Sequence, residues 1–259
     1  MERTKNYDFS RTKQIYSRKI QPLLLTMKTP RSCNCCEPLR KRNRKVHLHR
    51  EIQDTATDSW KRLLDEIEDV AVKELEVYYP GQTLDPEEWD SIVTLPASIA
   101  KLKSVKLLKL AGSSLVRLPP QIGEMSALYE LDAYMSYSLH WFPYEIARCA
   151  NLRKSCVSTR ALYGNYKHRS LFPSLLAEAN SSALDLTRPN ECSVCKKAFS
   201  QQQPVHHRWI SLQIATDVLP LLVYACSNEC LDALPAPPGQ YVNKPHFGGS
   251  SLEQPPPRW

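Results

Sequence analysis

Nine cysteines lie unevenly along 259 residues, and their spacing marks where metal chemistry can occur. Cys192-x-x-Cys195 is one pair and Cys226-x-x-x-Cys230 another, with 30 residues between Cys195 and Cys226. Thiolate pairs at such short spacing are what a tetrahedral zinc site requires. The first pair fits a tight turn after Pro189-Asn190, a knuckle. Leu219 to Ala225, LPLLVYA, reads as a strand, and Cys226 to Leu234 as the start of a helix. Cys226 and Cys230, four apart on that helix, would share one face. Four thiolates close the coordination shell and leave no position for water, so the zinc is expected to be structural and not catalytic. His206 and His207 fall between the pairs and are expected on the hairpin, not as ligands.

A second cysteine group is weaker. Cys33, Cys35 and Cys36 precede His47 and His49, a spacing that matches no common zinc finger. These residues belong to a basic N-terminal stretch. Residues 1 to 50 hold 14 Lys plus Arg against three acids, a balance of +11, whereas the whole chain is +7. Residues 51 to 259 therefore sum to −4. The densest run, Arg40-Lys41-Arg42-Asn43-Arg44-Lys45, can contact nucleic acid or acidic membrane, or act as a nuclear address. No aromatic stacking platform stands beside it, and a solvated, disordered arm is the expectation. Met27 is a second candidate start.

Composition excludes several classes. No stretch of 18 apolar residues is present, and Leu23-Leu24-Leu25 is too short for a signal-peptide core. An odd number of cysteines in CxxC-type clusters points to reduced thiols and metal, hence to an intracellular, cytoplasmic protein, with the nucleus as the alternative. The sequence shows no phosphate loop, no paired carboxylates at a recognisable spacing and no Ser-His-Asp pattern. Cys156 has no base partner in the sequence that would make it a nucleophile.

The elements that must position these residues are set by a repeat. Leu95-Pro96 recurs as Leu118-Pro119, 23 residues on, and as Phe142-Pro143, 24 further. Ile99, Ile122 and Ile146 follow at the same offset, then Leu102, Met125 and Cys149, then Val105, Leu128 and Leu152. Leu108 and Leu110 answer to Leu131 and Ala133. A fixed period with L-x-x-L-x-L in each copy is the mark of a repeat architecture whose units bury their apolar faces by stacking. The segment resembles the intracellular leucine-rich repeat class, whose units read LxxLxLxxNxLxxLPxxIxxL. Ser113 and Ser136 stand where that pattern has asparagine, and an extra residue near Tyr137 to Leu139 implies a bulge.

Strand side chains alternate, so the residues between the core columns should face outward. Those are Lys109 and Ala111, then Glu130, Asp132 and Tyr134, then Lys154, Cys156 and Ser158. Upstream, Trp60, Leu63, Leu64, Ile67 and Val70 form a helical stripe from a cap at Asp54 or Thr55, suited to covering the first unit. Leu75 and Val77 read as the inward residues of an opening strand, which puts Glu74, Glu76 and Tyr78 on the outward face and makes that face acidic and aromatic. After Leu152 the period decays; Phe172-Pro173 reads as a last, modified unit.

The cysteine segment resembles a treble clef: knuckle, hairpin, then a helix carrying the second pair. Similar Cys-x-x-Cys, strand, Cys-Ser-x-x-Cys tails occur on some small intracellular leucine-rich repeat proteins. The resemblance implies an α/β protein: a short leucine-rich repeat solenoid of about three to four repeats, followed by a small structural zinc module. The expected boundaries are a basic disordered arm over 1–50, the repeat domain with its capping helix over 51–180, the zinc module over 188–236 and a disordered Pro-rich tail over 237–259. The expected function is a non-enzymatic interaction scaffold or adaptor. Its repeat face, through Glu76, Tyr78, Lys109, Glu130, Asp132 and Tyr134, would bind an unidentified protein, with no membrane role. The alternatives are a nucleic-acid-associated protein using the arm and zinc module, and a ubiquitin-ligase substrate adaptor.

Overall fold

The computed structural model describes residues 48–159, 161–178, 182–186, 188–200, 202 and 204–257. Cys33, Cys35, Cys36, His47 and the basic run 40–45 lie outside the described residues. No helix among the described residues is long and apolar enough to cross a membrane.

Helix α1 (Asp58–Val72) starts at Thr57, whose Oγ1 accepts from the Trp60 N–H at 3.3 Å; the cap is therefore neither Asp54 nor Thr55. Trp60, Leu63, Ile67 and Val70 are buried, while Leu64 keeps about a third of its surface. The helix ends with Glu74 at φ 49° and the Leu75 N–H bonded to the Val70 carbonyl at 3.1 Å. That is a left-handed C-terminal turn without the usual glycine.

Strands β1 (Val77–Tyr78), β2 (Leu107–Lys109), β3 (Glu130–Ala133) and β5 (Lys154–Val157) form one parallel sheet in the order β1-β2-β3-β5. Leu107 pairs with Glu130 and Glu130 with Lys154, so the steps from β2 to β3 and from β3 to β5 are 23 and 24 residues, while the opening step from Val77 to Leu107 is 30. Each crossover uses a 3-10 helix, at Ala97–Lys101, Pro120–Glu124 and Tyr144–Arg148. Each follows a proline (Pro96, Pro119, Pro143) whose ring fixes φ near the value the turn needs. Ile99, Ile122 and Ile146 point inward from these turns, and Leu102, Met125, Cys149, Val105, Leu128, Leu152, Leu108 and Leu131 complete the buried columns. The serines do part of an asparagine's work: Ser136 Oγ accepts from the Ser113 hydroxyl and donates to the Leu110 carbonyl, both at 2.8 Å. Met135 at φ 62° marks the extra residue before Tyr137. Two short helices, α2 (Pro80–Thr83) and α3 (Pro86–Ser91), bridge β1 to the first full unit, and Glu88 reaches back to the Asp85 N–H at 2.9 Å.

A second sheet, ordered β4-β7-β6, joins Phe142–Pro143 (β4) to the hairpin of β6 (His206–Ile214) and β7 (Asp217–Ala225). Strand β7 is apolar on both faces because both are covered. Leu219, Leu221, Val223 and Ala225 enter the same core as the stacked units, with Ile210, Leu212 and Ile214 of β6. Leu222 and Tyr224 point the other way, into a cluster with Trp141, Tyr163, Phe172 and Trp209. The hairpin tip closes the open edge of β5: Thr216 Oγ1 accepts from the Ser155 N–H at 3.0 Å and donates to the Ser155 carbonyl at 2.8 Å.

Two outer segments bind this arrangement together and correct the expected boundaries. Residues 48–53 cross the flank of three units: Gln53 accepts from the Val93 N–H at 2.8 Å, Arg117 donates to the Glu51 carbonyl, and the His49 and His140 rings lie 5.1 Å apart. Leu48 is 1% exposed, so the chain joins the core before residue 51. The tail is not a free Pro-rich end within its described part. His246 and Trp209 exchange backbone bonds of 2.8 and 3.0 Å, the Leu175 N–H bonds the Phe247 carbonyl at 2.8 Å, and Phe247 and Leu252 pack on the second cluster. The stacked parallel strands, the hairpin and the Cys192 knuckle share one core among the described residues.

Candidate metal centre and exposed sheet face

Cys192 and Cys195 sit on a miniature hairpin, Glu191 bridging to Ala198, closed by Lys196 in the left-handed region (φ 60°). The Cys192 N–H bonds the Lys197 carbonyl at 2.8 Å, and the Cys195 N–H points at Cys192 Sγ at 3.5 Å. Cys226 leaves the end of β7 and Cys230 lies in helix α4 (Asn228–Asp232). Ser227 separates them as the cap, its Oγ accepting from the Cys230 N–H at 3.3 Å. The two sulfurs therefore meet across a helix start, not along one helical face as the spacing implied.

All four Sγ atoms lie within 4.8 Å of one another. Cys195 and Cys226 are 3.5 Å apart, Cys226 and Cys230 3.6 Å. A disulfide needs about 2.05 Å, so these are not bonded pairs. A tetrahedral ion with metal–sulfur bonds of about 2.3 Å has sulfur–sulfur edges of about 3.8 Å, which this set brackets. The residues present thus fit a four-coordinate metal ion. The electrostatics agree: burial raises the Cys192 thiol, but the backbone N–H groups of Cys195, Val194 and Cys226 outweigh it and bring it down to about 7. Desolvation and the neighbouring thiols push Cys226 up to about 12, and desolvation raises Cys230 as well. Four sulfurs this close cannot all ionise unless a cation supplies the opposing charge.

The centre is fastened to the stacked units. Arg148, on the third 3-10 helix, holds Glu191 at 2.8 Å and donates to the Ser193 carbonyl at 3.1 Å. The Ser193 N–H bonds the Tyr224 carbonyl at 2.8 Å, and Ser193 Oγ accepts from the Tyr224 N–H at 3.1 Å. His206 and His207 begin β6; His207 packs edge-on against Tyr224 at 5.0 Å and is not part of the cluster.

The outward face of the parallel sheet is partly as expected. Its rows follow from the register: Val77, Leu107, Glu130 and Lys154, then Lys109, Asp132 and Cys156. Lys109, Glu130 and Asp132 are half-buried, and Tyr134 beyond β3 is 54% exposed. Tyr78 is a correction. It pairs with Leu108 in the core column and is 2% exposed, so it cannot contact a partner, and Val77 takes the outward place. Glu76 precedes the strand and pairs with Lys106 at 2.5 Å at the rim. Ser158, expected outward, is buried, and Ser155 occupies the Leu131 column. The face is therefore not acidic: Lys154 faces Glu130 at 3.9 Å, and Lys154 and Lys109 lie over the rings of Tyr129 and Tyr79. Tyr129 and Leu107 were missed because each directly precedes or opens a strand, where alternation gives no reading. Cys156 is exposed on this face, but burial, Asp132, Asp217 and Glu130 all raise its thiol, the opposite of an activated nucleophile.

No protein-family model matches the chain, and no curated protein sequence matches it.

Proposed function

We propose that the protein is a non-catalytic binding protein, in which the outward sheet face recognises another protein and a structural zinc ion in the four-cysteine centre holds the last element in place. The stacked parallel units have the column pattern and period of a short leucine-rich repeat solenoid, and this reading takes them as one. The single observation that carries the binding role is the sheet face itself. Val77, Tyr129 and Tyr134 are 50%, 43% and 54% exposed among Lys109, Glu130, Asp132 and Lys154. Exposed tyrosines among charged groups supply apolar contact area with a polar handle, the composition enriched in interface centres. Soft thiolate donors, a closed tetrahedral set and no position for water favour structural zinc over a catalytic ion.

The test is affinity capture with full-length protein and an Asp132→Arg/Tyr134→Ala variant, followed by a binding isotherm with the captured protein. Both altered side chains are outside the core, so the variant should melt within a few degrees of the parent. Loss of at least about thirtyfold in affinity supports the reading, since central interface truncations cost about 2 kcal/mol or more and every 1.4 kcal/mol is about tenfold. Unchanged affinity moves the function off this face.

A further inference from the structure

Residues 234–238 read Leu-Pro-Ala-Pro-Pro and follow helix α4 directly. The proline rings fix φ at positions 235, 237 and 238. A residue before proline is steered away from helix toward extended backbone, which covers Leu234, Ala236 and Pro237. The stretch is thus biased to polyproline II before any tertiary contact forms. Its three prolines have no N–H to donate, so it is unsuited to a sheet ladder.

The fold holds both ends of the stretch and leaves the middle to solvent. At the start, the Ala233 and Leu234 N–H groups bond the Glu229 and Leu231 carbonyls at 3.0 and 3.3 Å. At the other end, the Tyr241 N–H bonds the Pro238 carbonyl at 2.9 Å. Arg169 Nη2 donates to the Gln240 carbonyl at 2.7 Å, and the guanidinium lies 5.2 Å from the Tyr241 ring centre. Pro235 and Ala236 are exposed, and Leu234, Pro237 and Pro238 are half-buried. Pro235, Ala236 and Pro237 make no hydrogen bond among the described residues.

Three residues make one turn of polyproline II, so Pro235 and Pro238 share one edge and Leu234 and Pro237 the next. The result is an apolar ridge of two x-Pro pairs one turn apart. Anchored ends and proline rings set its shape in advance, which removes much of the ordering cost that a flexible peptide meets on binding. The same Arg169 nitrogen reaches the Pro256 carbonyl at 3.3 Å, so Pro255-Pro256-Pro257 is brought beside Gln240. That second run contains no Pro-x-x-Pro spacing. Charge decides which groove fits the ridge. Glu229 and Asp232 are exposed on α4 just before it, and no Lys or Arg stands between Arg208 and Lys244.

We propose that residues 234–238 are a docking ridge for a proline-reading domain of a partner protein, one whose groove is lined by aromatic rings and bordered by basic side chains. The two x-Pro pairs fill the slots between the rings, and Glu229 and Asp232 face the basic border. The ridge shares no residue with the sheet face and stands whichever way that face is assigned.

The experiment titrates the full chain by calorimetry into a panel of isolated SH3 and WW domains, some with basic and some with acidic groove rims, at two salt concentrations. Three variants accompany the parent: Pro235→Ala/Pro238→Ala, Asp232→Lys and Pro256→Ala/Pro257→Ala. Basic-rimmed domains should bind at a single site. The first variant should weaken that binding about tenfold or more, the loss expected when central anchors are removed. Asp232→Lys should weaken it about twofold or more, chiefly at low salt, as an exposed charge contact does. The third variant should bind like the parent. All three should melt within a few degrees of the parent, because exposed proline replacements act mainly through the unfolded chain. Should the first variant melt lower, Asp232→Lys decides the matter with every proline in place. Four outcomes would overturn the proposal: no domain of the panel binds, the first variant binds like the parent, acidic-rimmed domains bind as tightly as basic-rimmed ones, or binding is lost in the third variant.

Discussion

Cys226 is the residue whose environment is hardest to maintain without a cation, since it has sulfur neighbours at 3.5 and 3.6 Å. Cys226→Ser should abolish metal retention, read by elemental analysis after gel filtration. It should also lower the unfolding free energy by about 4 kcal/mol or more, the range reached when a structural metal is lost. Because β7 shares its core with the stacked units, that loss should appear as a shift of one transition and not as melting of a separate module. His246 makes a prediction of opposite chemistry. It is 7% exposed, its Nδ1 accepts from the Gly248 N–H at 3.1 Å, and burial pulls its pKa from 6.5 down to about 4. The unfolded chain therefore binds the proton first, so the stability contributed is complete above pH 6.5 and is lost as pH falls toward 4. The loss should approach about 3 kcal/mol, and His246→Gln should flatten that part of the denaturation-midpoint profile. The four-cysteine cluster was legible because a metal site favours short local spacing of its donors. His246 was not, because nothing local distinguishes a buried histidine in a Pro-rich tail from a solvated one.

The stacked units show why some elements were readable and others shifted by one residue. Columns such as Ile99, Ile122 and Ile146 repeat because every unit must bury the same position against its neighbours. The opening strand has no unit before it to impose that register. Glu74 in the left-handed region turns the chain before β1, so Leu75 and Val77 face solvent and Tyr78 faces in, the reverse of simple alternation. A glycine there would have signalled the turn; a glutamate does not. The hairpin was expected, but its place inside the main core was not. The uninterrupted LPLLVYA run was the available sign, since a strand with no polar face must be covered twice. Close stacking of the 3-10 helices depends on Gly123, where a Cβ would collide with the Glu145 carbonyl. Gly123→Ala should destabilise by about 1–3 kcal/mol through forced backbone separation, measurable as a lower urea midpoint with an unchanged slope.

Across the whole molecule, two outer segments, one on each side of the stacked strands in sequence, tie the last elements to the first. Residues 48–53 run from the aromatic cluster to Gln53 beside Val93, and Arg117 is held by the Glu51 carbonyl with its other nitrogen unpartnered in the interior. Leu48→Ala should cost about 2–4 kcal/mol, the price of a cavity in a well-packed core, and a chain beginning at residue 54 should be less stable still. Calorimetry of the two against a chain beginning at residue 48 checks both. Charge composition alone made residues 1 to 50 look like one arm, because a buried leucine and histidine at its end add no charge and no period.

The bond between Thr216 at the hairpin tip and Ser155 on the last parallel strand also limits how such a protein can change in size. Both edges of the stack are sealed by unlike pieces, a helix at one side and a hairpin turn at the other. A duplicated unit appended after β5 would meet a surface shaped for threonine and not for another strand. Lengthening must therefore happen in the middle, by inserting a copy between β2 and β3, where each new unit finds its own kind on both sides. The sheet can grow between its inner strands but not past β5.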